Sequence, residues 1–302
     1  MSTQLLFLQL VNGLTIGAIY ALIALGYTMV YGILLMINFA HGEIFMVGSY
    51  AGFLTLTYLH GFSEIPIPLK IMAGFLTAMV TALLLGVLVE RVAYRPLRYA
   101  PRLAPLISAI GTSIFIQNAV MILSGARIKI YPDTFPVGYI SLGTVGISYI
   151  RTFIILTSIL LMIALYLFVQ KTKVGKAMRA VAEDKEAASL MGININKIIT
   201  TTFILGSLLA GAGGIMVGMY YTQINHMLGF VPGIKAFTAA VLGGIGNIPG
   251  AMVGGFFLGL AEVLATQFMP AVYKDVVAFS LLVVILIFRP RGILGEVIAK
   301  KV

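Results

Sequence analysis

The first 40 residues read MSTQLLFLQLVNGLTIGAIYALIALGYTMVYGILLMINFA, and none of them carries a charged side chain. The first basic residue of the chain is Lys70. A helix needs about 20 mostly apolar residues to cross the bilayer core, so this stretch predicts a membrane-spanning helix. Because it lacks the basic region that begins a signal peptide, we expect it to stay in the mature protein.

The same character continues through all 302 residues, of which 60% are hydrophobic and 10% charged. Soluble domains average about 45–50% apolar and about 25% charged residues. Further charge-free runs cover 44–63, 71–89, 103–126, 152–170, 198–234 and 236–261. The sequence therefore predicts an all-α polytopic bundle, a single transmembrane domain over 1–302 with eight or nine membrane segments and some broken helices.

Composition excludes several kinds of chemistry. The chain has no cysteine, and its histidines lie far apart at His41, His60 and His226, so we expect neither a disulfide nor a metal site. No paired nucleophile and base stand out, so we expect no catalytic residue and no enzyme activity. The basic residues that give the chain its net charge of +10 lie between the apolar runs. This placement is typical of the loops of a membrane protein and does not favour a nucleic-acid partner.

The basic residues form three clusters, at 90–102, at 171–197 and in the C-terminal tail, which contains Arg289, Arg291, Lys300 and Lys301. Positively charged loops remain in the cytoplasm. This rule places the N-terminus outside, the C-terminus inside, and 125–150 as the one sizeable outer loop.

The loop 171–197 contains Glu186-Ala187-Ala188 followed by Gly192. It resembles the cytoplasmic EAA loop of ABC importer permeases, although the downstream isoleucine and Leu-Pro of that pattern are absent. The resemblance implies a short coupling helix that docks into an ATPase, with the glycine turning the chain back. The alternative is a solvated connector between two membrane helices.

Longer stretches, Ala18–Gly32, Met36–Glu43, Glu90–Pro96, Lys235–Gly250 and Ile293–Glu296, closely resemble a bacterial branched-chain amino acid ABC transporter permease. This resemblance covers nearly the whole chain. It implies an ABC importer permease fold in the inner membrane, a second homologous permease subunit, two cytoplasmic ATPases and an extracytoplasmic amino-acid-binding protein. Leucine, isoleucine and valine are the family's usual cargo, and close relatives carry urea or short amides.

The chain has no Gly-x-x-x-x-Gly-Lys-Ser/Thr phosphate loop, since Gly175-Lys176 lacks both the earlier glycine and the hydroxyl residue. We therefore expect partner subunits to hydrolyse ATP and this chain to bind no cofactor. An ion-coupled secondary transporter is the rival hypothesis. It would usually place several acids within the spans, whereas only Glu262 lies there.

Polar residues and glycines at two breaks in the apolar pattern are candidates for the translocation pathway or for helix breaks: Asn38, His41, Gly42, Glu43, Gly243, Gly244, Asn247 and Glu262. Helix capping or turn formation is the favoured role for the two asparagines. His41 and Glu43 lie either at the cytoplasmic surface or in the bundle interior. Glu262 is either a pathway carboxylate or a partner of Lys274.

Overall fold

The computed structural model describes residues 3–98, 100–101, 103–133, 135–136, 138–142 and 145–295. The α-helices of this described part are α1 Thr3–Leu34, α2 His41–His60, α3 Ile67–Val89, α4 Leu103–Ser124, α5 Tyr149–Lys171, α6 Lys173–Glu183, α7 Lys185–Leu190, α8 Ile195–Tyr221, α9 Phe230–Gly243, α10 Ile248–Ala265 and α11 Lys274–Phe288. A π-helical turn at Glu90–Tyr94 extends α3, and short 3₁₀ turns lie at Arg95–Leu97 and Ala271–Tyr273.

The loop predicted to lie outside contains short strands. Strands β2 (Tyr139–Leu142) and β3 (Val145–Ser148) form an antiparallel hairpin. Strand β1 (Lys129–Ile130) pairs with β4 (Gln223–Ile224), which follows α8. These strands fasten the loop to the end of α8.

Within the residues that the structure describes, seven helical segments are long and apolar enough to cross a membrane: Gln4–Leu34, Ile67–Leu97, Leu103–Ser124, Tyr149–Lys171, Ile195–Tyr221, Ile248–Ala265 and Ala271–Phe288. This confirms a polytopic helical membrane protein. The 14 residues of α9 make about 21 Å of helix, which is shorter than a bilayer core of about 30 Å. The predicted total of eight or nine segments depends on α2 and α9 and stays a prediction.

Burial divides the helices into a centre and a rim. In α8, 72% of an apolar stretch of 18 residues is buried, against 6% in the segment Ala271–Phe288, which contains α11. The exposed side chains of the rim helices are large and apolar, such as Ile122 and Leu123 on α4. Exposed apolar faces of this kind suit contact with lipid or with another membrane subunit, and α8 belongs to the core.

Glycines bring α1 and α10 into backbone contact. A Cβ added at Gly17 would lie 2.8 Å from Phe256 Cα, and one added at Gly255 would collide with Ala21. Glycine permits such close approach between membrane helices. The glycine pairs at four-residue spacing, Gly13 with Gly17 and Gly255 with Gly259, therefore pack against each other's helices within one bundle.

The first two helices define the break between them. Helix α1 is one unbroken helix of 32 residues, about 48 Å long, so it exceeds a bilayer core of about 30 Å. Helix α2 begins at His41. The candidate break residues His41, Gly42 and Glu43 therefore form the first turn of a buried helix and do not lie in the break itself.

Candidate functional site

The first break lies between α1 and α2, where Leu35 adopts a left-handed φ of 57° and ends α1. The backbone carbonyl of Asn38 accepts a hydrogen bond from the His41 amide at 3.0 Å. Its side-chain Oδ1 instead accepts from the hydroxyl of Tyr94 at 3.0 Å. The backbone of Asn38 thus forms the turn, but its side chain binds another segment and caps no helix.

His41 inserts into α1 at a point where that helix has no side chain. Its imidazole lies so close to Gly26 that an added Cβ there would collide with the ring. The Tyr27 ring meets the imidazole edge-on, with 4.9 Å between centroids. Since Gly26 lies eight residues before the end of α1, about 12 Å of helix, His41 lies inside the bundle and not at the cytoplasmic surface.

Glu43 is likewise buried, with 1% of its surface exposed. Its Oε1 accepts a hydrogen bond from Ser113 on α4 at 3.2 Å. Beside it the start of α2 touches the start of α9: a Cβ at Gly42 would collide with the Gly229 carbonyl, and a Cβ at Gly229 with the Gly42 carbonyl. Two helix N-termini and a carboxylate therefore meet in the interior.

Three buried polar atoms at this first break have no hydrogen-bond partner among the described residues: Asn38 Nδ2, His41 Nε2 and Glu43 Oε2. Buried polar groups are paired in the large majority of cases. Three such atoms lie here within six residues, so this break remains the candidate site.

At the second break, between α9 and α10, both polar atoms of the Asn247 side chain have partners. Asn247 Oδ1 accepts from the Gly250 amide at 2.9 Å and caps α10, while its Nδ2 donates to the Leu294 carbonyl at 2.9 Å. Gly244 and Gly246 adopt φ values of 108° and 96°, which favour glycine. Asn247 therefore has the capping role expected for it, while Gly243 ends α9 and Gly244 begins a tight turn closed by the hydrogen bond from the Asn247 amide to the Gly244 carbonyl at 3.1 Å.

The two breaks are neighbours. A Cβ on Gly32, near the end of α1, would lie 3.4 Å from Gly246 Cα. Between the breaks lies an apolar crevice that is too narrow to hold a water molecule and is lined by Tyr27, Tyr31, Ile37, Phe237, Ala240 and Ile245. The candidate residues of both breaks are thus brought to one region of the bundle.

Glu262 lies apart from both breaks, in a charged cluster. It forms an ion pair with Lys235 of α9, and its Oε2 accepts from the Tyr20 hydroxyl at 2.9 Å. Lys235 Nζ also lies 2.6 Å from Asp275 Oδ1. The suggested pairing with Lys274 is therefore wrong, because Lys235 points from α9 across to α10 and α11.

The candidate coupling loop folds as two short helices. Thr172 caps α6 by accepting from the Gly175 amide at 3.0 Å. Asp184 caps α7 by accepting from the amides of Glu186 at 2.9 Å and Ala187 at 3.0 Å. Side-chain caps of this kind typically contribute about 1 kcal/mol each, so the loop has a defined shape.

Gly192 ends α7 with a φ of 82°. Its amide donates to the Ser189 carbonyl at 2.9 Å, and the Ile193 amide donates to the Ala188 carbonyl at 3.0 Å. This pair of bonds is the Schellman motif, which places glycine in the left-handed region. The glycine thus turns the chain from α7 into α8, as the resemblance implied.

Exposure divides the residues of α7. Glu186 and Ala187 are exposed, whereas Ala188 is buried in its own chain at 4%. Leu190 and Met191 are 89% and 82% exposed, although both are large and apolar. An exposed apolar pair at the tip of an ordered loop is a suitable contact for another protein.

The electrostatics of α7 place it beside the first basic loop. Desolvation lowers the pKa of Lys185 from its ordinary value, and the nearby positive charge of Arg98 lowers it further. Arg98 also donates to Asn196 in the first turn of α8. The coupling loop therefore packs against the loop that follows α3.

The family model described as branched-chain amino acid transport system / permease component matches residues 9–286. The chain belongs to this permease family.

Several relatives match the permease over nearly its whole length. The high-affinity branched-chain amino acid transport system permease protein BraD of Pseudomonas aeruginosa is 51% identical over 298 residues, 97% of each chain. The corresponding protein LivH of Escherichia coli K12 is 47% identical over 308 residues, spanning both chains completely. A probable branched-chain amino acid transport permease protein of Methanocaldococcus jannaschii is 32% identical, over 91% of this chain and 88% of its own.

Among solved structures, the permease resembles a chain of PsaBC from Streptococcus pneumoniae in complex with Fab. The TM-score is 0.50 at 13% identity, covering 93% of this chain and 91% of the other. At that identity the likeness shows the fold alone.

Two charged residues of the permease were missed in the sequence. Lys235 separates the charge-free runs 198–234 and 236–261, and an isolated intramembrane lysine signals a buried partner. Glu90 stood among four arginines and looked like a surface residue, yet its side chain is fully buried. Its position directly after an apolar run was the available signal. The basic tail residues Lys300 and Lys301, and Glu296, lie outside the described residues.

Proposed function

We propose that the chain is the membrane-spanning subunit of an ATP-driven importer and forms half of the pathway for leucine, isoleucine and valine. The observation that carries this proposal is identity of 47–51% over essentially full length to proteins named for branched-chain amino acid transport. The narrow crevice between the breaks is lined by aromatic and aliphatic residues, which suits apolar side chains.

The complete importer contains a second homologous permease subunit, two cytoplasmic ABC ATPases and an extracytoplasmic amino-acid-binding protein in the bacterial inner membrane. The basic loops lie in the cytoplasm, so the N-terminus is outside and the C-terminus inside. Helices α6 and α7 then face the ATPases. Leu190 and Met191 supply the apolar contact, and ATP is hydrolysed on the partner.

The first break is the point at which the pathway closes. Helices α2 and α9 touch there through Gly42 and Gly229, with Glu43 and His41 buried beside the contact. Separation of these two helices opens a polar route through the bundle. The unpaired atoms of Asn38, His41 and Glu43 then find water or substrate as partners.

The test is uptake of labelled leucine and labelled urea into vesicles that contain the complete importer, with ATP supplied on the ATPase side. We expect ATP-dependent uptake of leucine, competed by isoleucine and valine, and no uptake of urea. Uptake of urea in preference to leucine contradicts the substrate assignment. Uptake driven by an ion gradient without ATP contradicts the energy source.

Docking of the ATPase is tested at Ala187, which is exposed, and not at Ala188, whose burial makes its replacement a folding defect. Ala187→Leu should leave folding unchanged, within about 0.5 kcal/mol as for an ordinary surface site, yet reduce ATPase association. Ala271→Leu alters an exposed alanine at the far end of the bundle and serves as the control. Normal association of the Ala187→Leu variant overturns the docking assignment.

A further inference from the structure

A buried carboxylate joins the loop after α3 to the first turns of α8. The Glu90 side chain is fully buried and forms ion pairs with Arg95, at 2.9 Å, and with Arg98. Arg95 Nε also donates to Glu90 Oε1 at 3.2 Å. Because the π-helical turn Glu90–Tyr94 is wider than an α-helical turn, the two arginines fold back over the acid that precedes them.

The same carboxylate binds α8. Thr200 Oγ1 lies 3.2 Å from Glu90 Oε2 and accepts from Arg95 Nη2 at 3.0 Å. Arg98 donates to Asn196, one turn earlier on α8. Helix α8 follows directly on the turn at Gly192, so any displacement of α7 acts first on the residues that hold Glu90.

Four residues after Glu90, the π-helical turn reaches the first break. Tyr94 ends the π-helical turn, and its hydroxyl lies 3.0 Å from Asn38 Oδ1 and 3.3 Å from the Ile37 carbonyl. Its ring packs against Phe203 of α8, with 5.3 Å between centroids. Tyr94 is buried at 1%, so a shift of the π-helical turn necessarily moves this contact.

These contacts connect three segments that are remote in sequence: the first break, the loop after α3 and the start of α8. A carboxylate placed only for solubility lies at the surface, whereas this one has four polar contacts from three side chains. Its partners Arg95 and Arg98 belong to the loop after α3, and its partner Thr200 belongs to α8. The Glu90 network and the π-helical turn thus connect the start of α8, which follows α7 along the chain, with the candidate pathway.

We propose that Glu90 and Tyr94 are positioning residues that transmit movement of the coupling loop to the α1–α2 break. The proposal rests on the proposed ATPase docking at α7. Movement of α8 by the ATPase pulls Glu90 through Thr200 and Asn196, and Tyr94 then carries Asn38 with it. The unpaired Nδ2 of Asn38 leaves that side chain free to change partners.

The experiment measures two quantities on the complete importer in vesicles: ATPase association with ATP hydrolysis, and leucine transported per ATP hydrolysed. The variants are Glu90→Gln, which keeps the shape and removes the charge, and Tyr94→Phe, which removes only the hydroxyl. Glu64→Gln changes an exposed acid in the α2–α3 connection. Tyr131→Phe removes a buried hydroxyl that donates to the Ser49 carbonyl at 2.8 Å, remote from the network.

We expect Glu90→Gln and Tyr94→Phe to keep ATPase association and basal hydrolysis while leucine transported per ATP falls at least about fivefold, the lower end of ordinary allosteric couplings. The two control variants should keep the wild-type ratio. If Glu90→Gln fails to accumulate, Tyr94→Phe carries the test, since it removes one hydroxyl and leaves the charges.

An unchanged ratio in Tyr94→Phe overturns the relay and leaves the proposed function standing. Loss of ATPase association in Glu90→Gln and Tyr94→Phe also overturns it, because the residues then act in docking or folding. A wild-type complex that neither binds the ATPase nor couples hydrolysis to transport overturns the proposed function and the relay together.

Discussion

Two of the buried carboxylates, Glu262 and Glu43, differ in their surroundings. Glu262 uses both oxygens, one in the ion pair with Lys235 and the other as acceptor from Tyr20 at 2.9 Å. Glu43 uses one, accepting from Ser113 at 3.2 Å, and its Oε2 has no partner among the described residues. Their exposures of 2% and 1% are alike.

The difference is between a cluster in which the charges are paired and a break in which some buried polar atoms have no partner. The Lys235 cluster ties α9, α10 and α11 together through Glu262 and Asp275, and no buried charge in it lacks a counter-charge. The first break leaves polar groups unpaired, which costs about 1–3 kcal/mol for each group. A structure retains such groups where another conformation or a ligand satisfies them.

The largest expected effect is the loss of stability when the Lys235 cluster is broken. Lys235→Met leaves Glu262 buried without its counter-charge, which should lower the free energy of unfolding by about 3–5 kcal/mol. The double variant Lys235→Met with Glu262→Leu removes both charges and should recover most of that loss. Thermal unfolding of the purified permease in detergent measures both.

Lys274→Met is the control, because Lys274 is half-exposed beside the cluster and forms none of its ion pairs. It should change the stability by no more than about 0.5 kcal/mol. If Lys235→Met and Lys274→Met lower the free energy of unfolding equally, the Lys235 cluster stabilises the protein no more than an ordinary surface charge does.

A smaller effect is expected at the contact between α1 and His41. In Gly26→Ala the new methyl group collides with the imidazole, and overpacking typically costs about 1–3 kcal/mol. In a His41→Ala background the same change should be almost neutral. A double-mutant cycle on unfolding free energies therefore gives an interaction of about 1 kcal/mol or more.

Gly111→Ala is the matched change on α4, where an added Cβ meets nothing within 4 Å. Alanine is a better helix former than glycine by up to about 1 kcal/mol, so this variant should be neutral or stabilised. Additive effects of Gly26→Ala and His41→Ala would show that the imidazole lies elsewhere.

The smallest effect on stability is expected at Glu43 itself. Glu43→Gln keeps an acceptor for Ser113 and removes a carboxylate that has one free oxygen, so stability should change by less than about 1 kcal/mol. Glu262→Gln removes one of the two counter-charges of Lys235 and should destabilise more. For function the order reverses: Glu43→Gln should lower leucine uptake several-fold, measured in vesicles at equal protein. Wild-type uptake by Glu43→Gln denies the first break a role in transport.

Helix positions were predictable from charge alone. The charge-free run 103–126 contains α4, Leu103–Ser124, because a helix that crosses lipid must be apolar over its whole length. The turn at Gly192 was implied by the resemblance to the EAA loop, and its φ of 82° is one that glycine adopts readily.

The sequence did not show which residues pair with the buried charges. Lys274 is near Glu262 in sequence, but the partner is Lys235, because the packing of α9 against α10 decides which side chains meet. For the same reason Asn38 and Asn247 looked alike, while one binds Tyr94 and the other caps a helix. Glu90 was overlooked because only the π-helical turn brings its arginines back over it.

The central claim is that the first break moves with the ATPase cycle while the second stays fixed. The chain has no cysteine, so single cysteines at Leu35 and Pro249, both exposed, report on the two breaks separately. The measurement is the rate of maleimide labelling in the complete importer, without nucleotide and with ATP trapped. We predict a change of at least about fivefold at residue 35 and none beyond experimental scatter at residue 249. Equal changes at both positions, or a change at residue 249 alone, would contradict the account.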